Sequence, residues 1–319
     1  MVIFRIIMKK SLLTVITMLL AFWVCGQQRP ITSTYLYNGL LLNPAYAGSL
    51  NLFSATLTHR DQWINIDGAP STQALTVHNS FQDNRVGVGL NILRDRIGVH
   101  EQIGVYASYA YKIHFAHGIL SMGLQGGFDN RQSDLSQVNI LDRNDPLFTN
   151  TSRLNPNFGT GLYYANPKVF LGVSIPYLLT PTVFNVDEIN IATTAKADRF
   201  YYINGGGAFP ISRFVIFNPS FLVRIQDRNP LGWDLTAQFI FDEVIYAGVS
   251  YRSQDSFVFL TQMVLNDNFR IGYAYDMITP DDDGRQGLSY FSPGSHEIML
   301  NYRIKFRNTK KNPLCPVYY

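Results

Sequence analysis

Ile103-Gly104-Val105-Tyr106-Ala107-Ser108-Tyr109-Ala110-Tyr111-Lys112-Ile113 is the stretch that decides the fold. Ile103, Val105, Ala107, Tyr109, Tyr111 and Ile113 make one row, and Gly104, Tyr106, Ser108, Ala110 and Lys112 make the other. Successive strand side chains point to opposite faces, so a period of two gives an apolar surface opposite a polar or small one. The same period governs Val86, Val88, Leu90 and Ile92, and again Phe269, Ile271, Tyr273 and Tyr275. A water-soluble sandwich uses this alternation too, with its apolar face turned inward, so the strands alone do not choose between sandwich and membrane barrel.

Composition narrows the choice. Of 319 residues, 46% are hydrophobic, 14% aromatic and only 15% charged, against about 25% charged in an average soluble domain. Mean hydropathy is nonetheless -0.01, and beyond the N-terminus no run stays apolar for the roughly 20 residues a spanning helix needs. An ordinary soluble enzyme and a helical membrane protein are both disfavoured. Strands with one lipid-facing and one polar row have this profile, and a lectin-like sandwich shares part of it.

The connections decide. Fourteen strands are expected, centred near residues 56, 75, 89, 107, 123, 161, 172, 203, 219, 236, 247, 261, 273 and 299. Every even-numbered connection is short, as at Gln82-Asp83-Asn84 and Asp242-Glu243, while the long ones, 60–69, 129–156, 176–198 and 277–293, are all odd. Tight periplasmic turns, long external loops and an even strand count belong to outer-membrane barrels. The expected fold is therefore all-β, a single transmembrane antiparallel β-barrel of about 14 strands in the cell outer membrane, surrounded by outer-membrane lipid. Tyr163-Tyr164, Phe200-Tyr201-Tyr202, Tyr251 and Tyr290-Phe291 are expected to form interfacial girdles.

Residues 1–26 read as a signal peptide: Arg5, Lys9 and Lys10 precede an apolar stretch, and Val24 and Gly26 suit the cleavage positions. Lipidation at Cys25 is a weaker rival, because no small residue stands directly before it. The segment carries three of the 26 basic residues and no acid, so the remainder holds 23 of each sign. The formal charge of +3 thus belongs to export, and no nucleic-acid partner is expected. Cys315 alone remains after cleavage, which rules out an intramolecular disulfide. The expected organisation is a signal peptide over 1–26, a periplasmic or plug-like lead-in over 27–50, the barrel over 51–306 and a tail over 307–319.

No catalytic constellation emerges. The six histidines are scattered. Asp281-Asp282-Asp283-Gly284 has neither the alternating acids nor the twelfth-position Glu of an EF-hand, since that position holds Ser292. Gly205-Gly206-Gly207 follows a strand without the Lys or helix start that a phosphate cradle needs. No Gly-x-Ser-x-Gly elbow occurs. The chain is expected to be no enzyme, with no cofactor and no metal site.

Several unusual words stand along the chain: Leu42-Asn43-Pro44-Ala45-Tyr46-Ala47-Gly48-Ser49, His59-Arg60-Asp61-Gln62-Trp63 and Gly68-Ala69-Pro70-Ser71-Thr72, then Ser250-Tyr251-Arg252, Tyr273-Ala274-Tyr275-Asp276 and Gly294-Ser295-His296-Glu297. Together they resemble the PorP/SprF family of type IX secretion system membrane proteins of the Bacteroidetes, over essentially the whole mature chain. That resemblance implies a role in secreting particular cargo or holding it at the cell surface, possible links to gliding motility, and two kinds of partner: secreted cargo bearing a type IX C-terminal domain and other type IX secretion subunits. A passive channel for small solutes is the alternative.

Read physically, the words are structural first. Asn43-Pro44 sets an extended-to-turn lead-in and Gly48 permits a sharp turn. Arg60 and Trp63, flanking Gln62, form either an interfacial anchor with the guanidinium in water or a partner contact. Gly68 and Pro70 end the first loop and restart a strand. The loops 129–156 and 176–198 are the better candidates for partner contact.

Overall fold

The computed structural model describes residues 31–134, 151–180, 182–184, 195–196, 199–226, 230–253, 256–279 and 288–305. The expected signal peptide over 1–26, the tail with Cys315, the Asp281–Gly284 run and the centres of the two longest loops lie outside the described residues.

Fourteen antiparallel strands form one closed sheet. In chain order they are β1 Phe53–Asp61, β2 Ser71–Phe81, β3 Val86–Ile97, β4 His100–Phe115, β5 Gly118–Ser133, β6 Thr151–Ala165, β7 Val169–Ile175, β8 Phe200–Gly207, β9 Val215–Gln226, β10 Gly232–Phe241, β11 Ile245–Arg252, β12 Ser256–Val264, β13 Phe269–Ile278 and β14 Gly294–Ile304. Each pairs with its sequence neighbours, and β14 returns to β1 in a register from Phe53↔Ile304 to Asp61↔His296. Closure leaves no unpaired edge, which an apolar solvent demands. Thr182–Phe184 and Ala195–Lys196 make a separate two-stranded pair between β7 and β8, and Phe209–Pro210 folds back onto β9.

All fourteen expected strand centres fall inside these strands, and the loops sort as expected. Tight turns gather at one end. There Gln82, Asp83 and Asn84, and likewise Asp242 and Glu243, take positive φ, the local twist that short hairpins require. The long connections gather at the opposite, external end. The β5–β6 loop is shorter than 129–156, because pairing continues through Asp129↔Asn155 to Ser133↔Thr151. With sixteen residues each, β4 and β5 exceed the roughly 9–11 that cross a bilayer.

Facing follows the alternation. Leu57, Leu124, Leu162, Leu235, Phe259 and Leu300 point outward, forming the lipid-facing band of an outer-membrane barrel. Ser54, Thr56 and Thr58 of β1 point inward and are buried. The expected aromatic girdle needs correction at three positions. Tyr163, Phe200 and Tyr202 have inward parity and are buried in the lumen, whereas Tyr251, Tyr290 and Phe291 are exposed.

Candidate functional site

The lumen is occupied by residues 31–50. They form three short 3-10 turns, Ser33–Tyr37, Gly39–Leu41 and Pro44–Tyr46, and most of their side chains are buried against the wall. The segment runs the length of the lumen. Ser33 and Thr34 meet residues at the loop end, and Gly48 meets residues beside the tight turns, before β1 begins.

Its middle and lower parts are held by wall side chains that satisfy backbone groups. Asn91 donates to the Leu40 carbonyl at 3.2 Å and Ser174 to the Leu42 carbonyl at 2.6 Å, while Thr76 donates to Asn38 at 2.8 Å. Asn43 does two things at once. Its Oδ1 accepts from the Ala45 amide at 2.9 Å, capping the turn that Pro44 starts, and its Nδ2 donates to the Leu162 carbonyl at 2.9 Å. A cap amide at this position with Pro next is a strong local start signal. Tyr46 then packs edge-on against His78 and Tyr163, with ring centroids 5.7 and 5.4 Å away.

The Ala45-Tyr46-Ala47-Gly48 backbone lies so close to the wall that only glycine fits opposite it. A Cβ on Gly123 would sit 2.1 Å from the Ala45 amide nitrogen, and one on Gly87 only 1.9 Å from the Ala47 carbonyl oxygen. Gly48 itself has φ +66, the left-handed region open to glycine. Its amide donates to His78 Nδ1 at 3.2 Å, and its carbonyl accepts from Lys112. Two cavities bordering the plug measure about 10 and 20 Å³, room for one or two waters.

At the loop end the plug is fastened by buried charge. Arg60 on β1 is 3% exposed. Its Nη1 donates to Ser33 Oγ at 2.6 Å and to Glu297 at 3.1 Å, and its Nη2 to Asp276 at 2.6 Å. Arg252 donates to Asp276 at 3.0 Å and to Asp234 at 3.2 Å, and Arg224 reaches Asp234 at 2.9 Å. Ser33 Oγ donates to Asp276 at 2.7 Å. Glu297, 0% exposed, receives the Ser33 amide at 2.6 Å, the Thr34 amide at 3.0 Å and the Thr34 hydroxyl. Three guanidinium groups thus face three carboxylates along the arc from β9 round to β1. Two of the acids take their remaining hydrogen bonds from the plug. Charges buried this deeply need close pairing and further hydrogen bonds, and the plug's first turn supplies those of Asp276 and Glu297.

The sequence-derived positions divide between the two ends. Asn43, Pro44 and Gly48 lie in the plug. Arg60 does not hold its guanidinium in water at headgroup depth, as an interfacial anchor would; inward parity on β1 puts it in the lumen. Gln62, Trp63, Gly68 and Pro70 shape the first external loop. The Gln62 amide donates to the Pro70 carbonyl at 2.9 Å, the Trp63 amide to Ser295 Oγ at 3.3 Å, and Gly98 to the Gly68 carbonyl at 2.9 Å. Gly68 has φ +74. Arg252, Asp276 and Glu297 each end one of the unusual words, but nothing within a single word shows that they meet. Their signal is a charge at inward parity near the loop end of each strand. Asp234 and Arg224 carry the same signal outside those words.

A family model described as type IX secretion system membrane protein PorP/SprF matches residues 24–302. Among solved structures the chain is similar to the CymD monoaromatic hydrocarbon channel, at 12% identity over 89% of this chain and 95% of that one, with a TM-score of 0.51. It is also similar to the Ralstonia pickettii toluene transporter TbuX, at 10% identity over 89% and 96%, with a TM-score of 0.50. Likeness at these identities carries the barrel architecture alone. No curated protein matches the chain.

Proposed function

Since the chain belongs to the PorP/SprF family of type IX secretion system membrane proteins, we propose that it is a non-catalytic docking component of that system. It assists secretion or surface attachment of a specific exported protein, such as an adhesin or other cargo with a type IX C-terminal domain, and contacts other secretion subunits. Where the cargo is an adhesin, gliding motility depends on it indirectly.

One observation carries the reading: the lumen is filled over its length by residues 31–50 and latched by buried ion pairs. A conduit for polypeptide or for bulk solute needs an open path, and here that path is taken by the chain itself. Partner contact then falls to the external loops, which escape the barrel's alternation. Deleting the protein and following secreted and surface-held proteins tests this. A specific C-terminal-domain cargo should be lost from the surface or retained inside, with other cargo unaffected, and recovery should follow reintroduction. Unchanged secretion and surface retention of every such cargo would defeat the proposal.

A further inference from the structure

The two ends of the lumen treat cations differently. At the loop end every inward arginine of the cluster meets a carboxylate, though Nε of Arg60 and of Arg224 has no partner among the described residues. At the tight-turn end, Arg270 on β13 points inward, and its Nε and Nη1 are buried with no hydrogen-bond partner among the described residues. Arg270 stands directly opposite Asn301 on β14, and Arg303, two residues further along the same inward row, donates from Nε to Asn301 Oδ1 at 2.6 Å. Two guanidinium groups therefore flank one asparagine. Above them is an apolar ceiling of Tyr37, Ile240, Tyr246 and Met299. Arg270 is only partly shielded from solvent, so the site opens toward the periplasmic mouth.

Around Arg270 are the Tyr246 hydroxyl of β11, Asn301 directly opposite on β14 with Arg303 next along that row, and Val264 directly opposite on β12, one inward position beyond Gln262, whose Oε1 is buried without a partner among the described residues. The carboxylate whose field reaches Tyr246 is Glu243, exposed in the β10–β11 turn. A guanidinium with two unpaired buried donors is costly to retain, and its planar fork matches an oxyanion.

We propose that Arg270 and Arg303 form a periplasm-facing oxyanion site that binds a phosphate or carboxylate group presented at the tight-turn mouth. Nothing in the docking role requires this site, and its failure leaves that role standing. The full-length protein in detergent, melted at constant ionic strength, provides the test. Inorganic phosphate, and separately glutarate, replace chloride, and each is also titrated calorimetrically. Binding should raise the melting temperature, and Arg270→Gln should weaken the affinity at least tenfold, with Arg270→Lys in between. Tighter binding of phosphate points to a phosphorylated ligand or free phosphate, and tighter binding of glutarate to a carboxylate; either outcome supports the site. It is overturned if neither anion binds at tens of millimolar, or if Arg270→Gln binds them as wild type does. If Arg270→Gln melts higher than wild type with no anion effect in either protein, the arginine is an unpaired structural charge and the proposal is likewise overturned.

Discussion

Replacing Arg60 by alanine should unfasten the plug at its upper end. The guanidinium makes three contacts, at 2.6 Å to Ser33, 2.6 Å to Asp276 and 3.1 Å to Glu297. Asp276 keeps Arg252 at 3.0 Å, but Glu297 loses its guanidinium and is left with plug donors alone. Two arginines then face three buried carboxylates. Removing one member of a buried pair costs about 3–5 kcal/mol, a large fraction of the 5–15 kcal/mol that stabilises a typical folded domain. Two assays read it: urea unfolding of the refolded barrel, and limited chymotrypsin digestion, since Tyr35 and Tyr37 are buried in the intact lumen. Arg60→Ala should lower stability and open both tyrosines to cleavage. Arg60→Lys should fall between, because a point charge cannot span three acceptors in a fork. Glu297→Ala should be destabilising alone, and the double variant should cost less than the sum of the two. A loss under about 1 kcal/mol with unchanged digestion would refute the latch.

Other expectations follow from the wall and from the membrane face. Gly87→Val should displace the Ala47 carbonyl, 1.9 Å from the added Cβ, costing at least the 1–3 kcal/mol of an overpacked core and making the plug protease-sensitive. Leu300→Arg, opposite Leu57 in mid-barrel, should cost about 2–4 kcal/mol in folding into vesicles, whereas His59→Arg near the loop end should cost under about 1 kcal/mol. In a Cys315→Ser background, a cysteine at Tyr290 should react with impermeant maleimide on intact cells. Cysteines at Asp83 or Glu243, in the tight turns, should react only after the outer membrane is opened.

The barrel was legible because its signal is local: period-two rows such as Ile103 to Ile113, and turn residues such as Gln82-Asp83-Asn84 that recur at every second connection. The plug's latch was not, because each member is a lone charge in a different strand. Arg60 and Asp276 are 216 residues apart and Ser33 and Glu297 are 264 apart, so no window of sequence contains the pair. What relates them is parity. Arg60 shares a row with Thr56 and Thr58, and Glu297 shares one with Met299 and Asn301, all of them inward. The same argument explains the girdle error. Tyr163 lies in the inward row of Gly159 and Gly161 on β6, and clustering of aromatics near a strand end says nothing about which face carries them. The words were visible as words, but that four of them reach across the lumen to the same plug, through Arg60, Arg252, Asp276 and Glu297, depends on barrel closure.

Single-protein conductance in planar bilayers tests the occupied lumen most directly. The purified full-length protein should stay closed, without a large sustained current, and removal of residues 31–50 should open a stable conductance. A large, stable open current from the intact protein would contradict a plugged docking barrel and favour a passive solute channel.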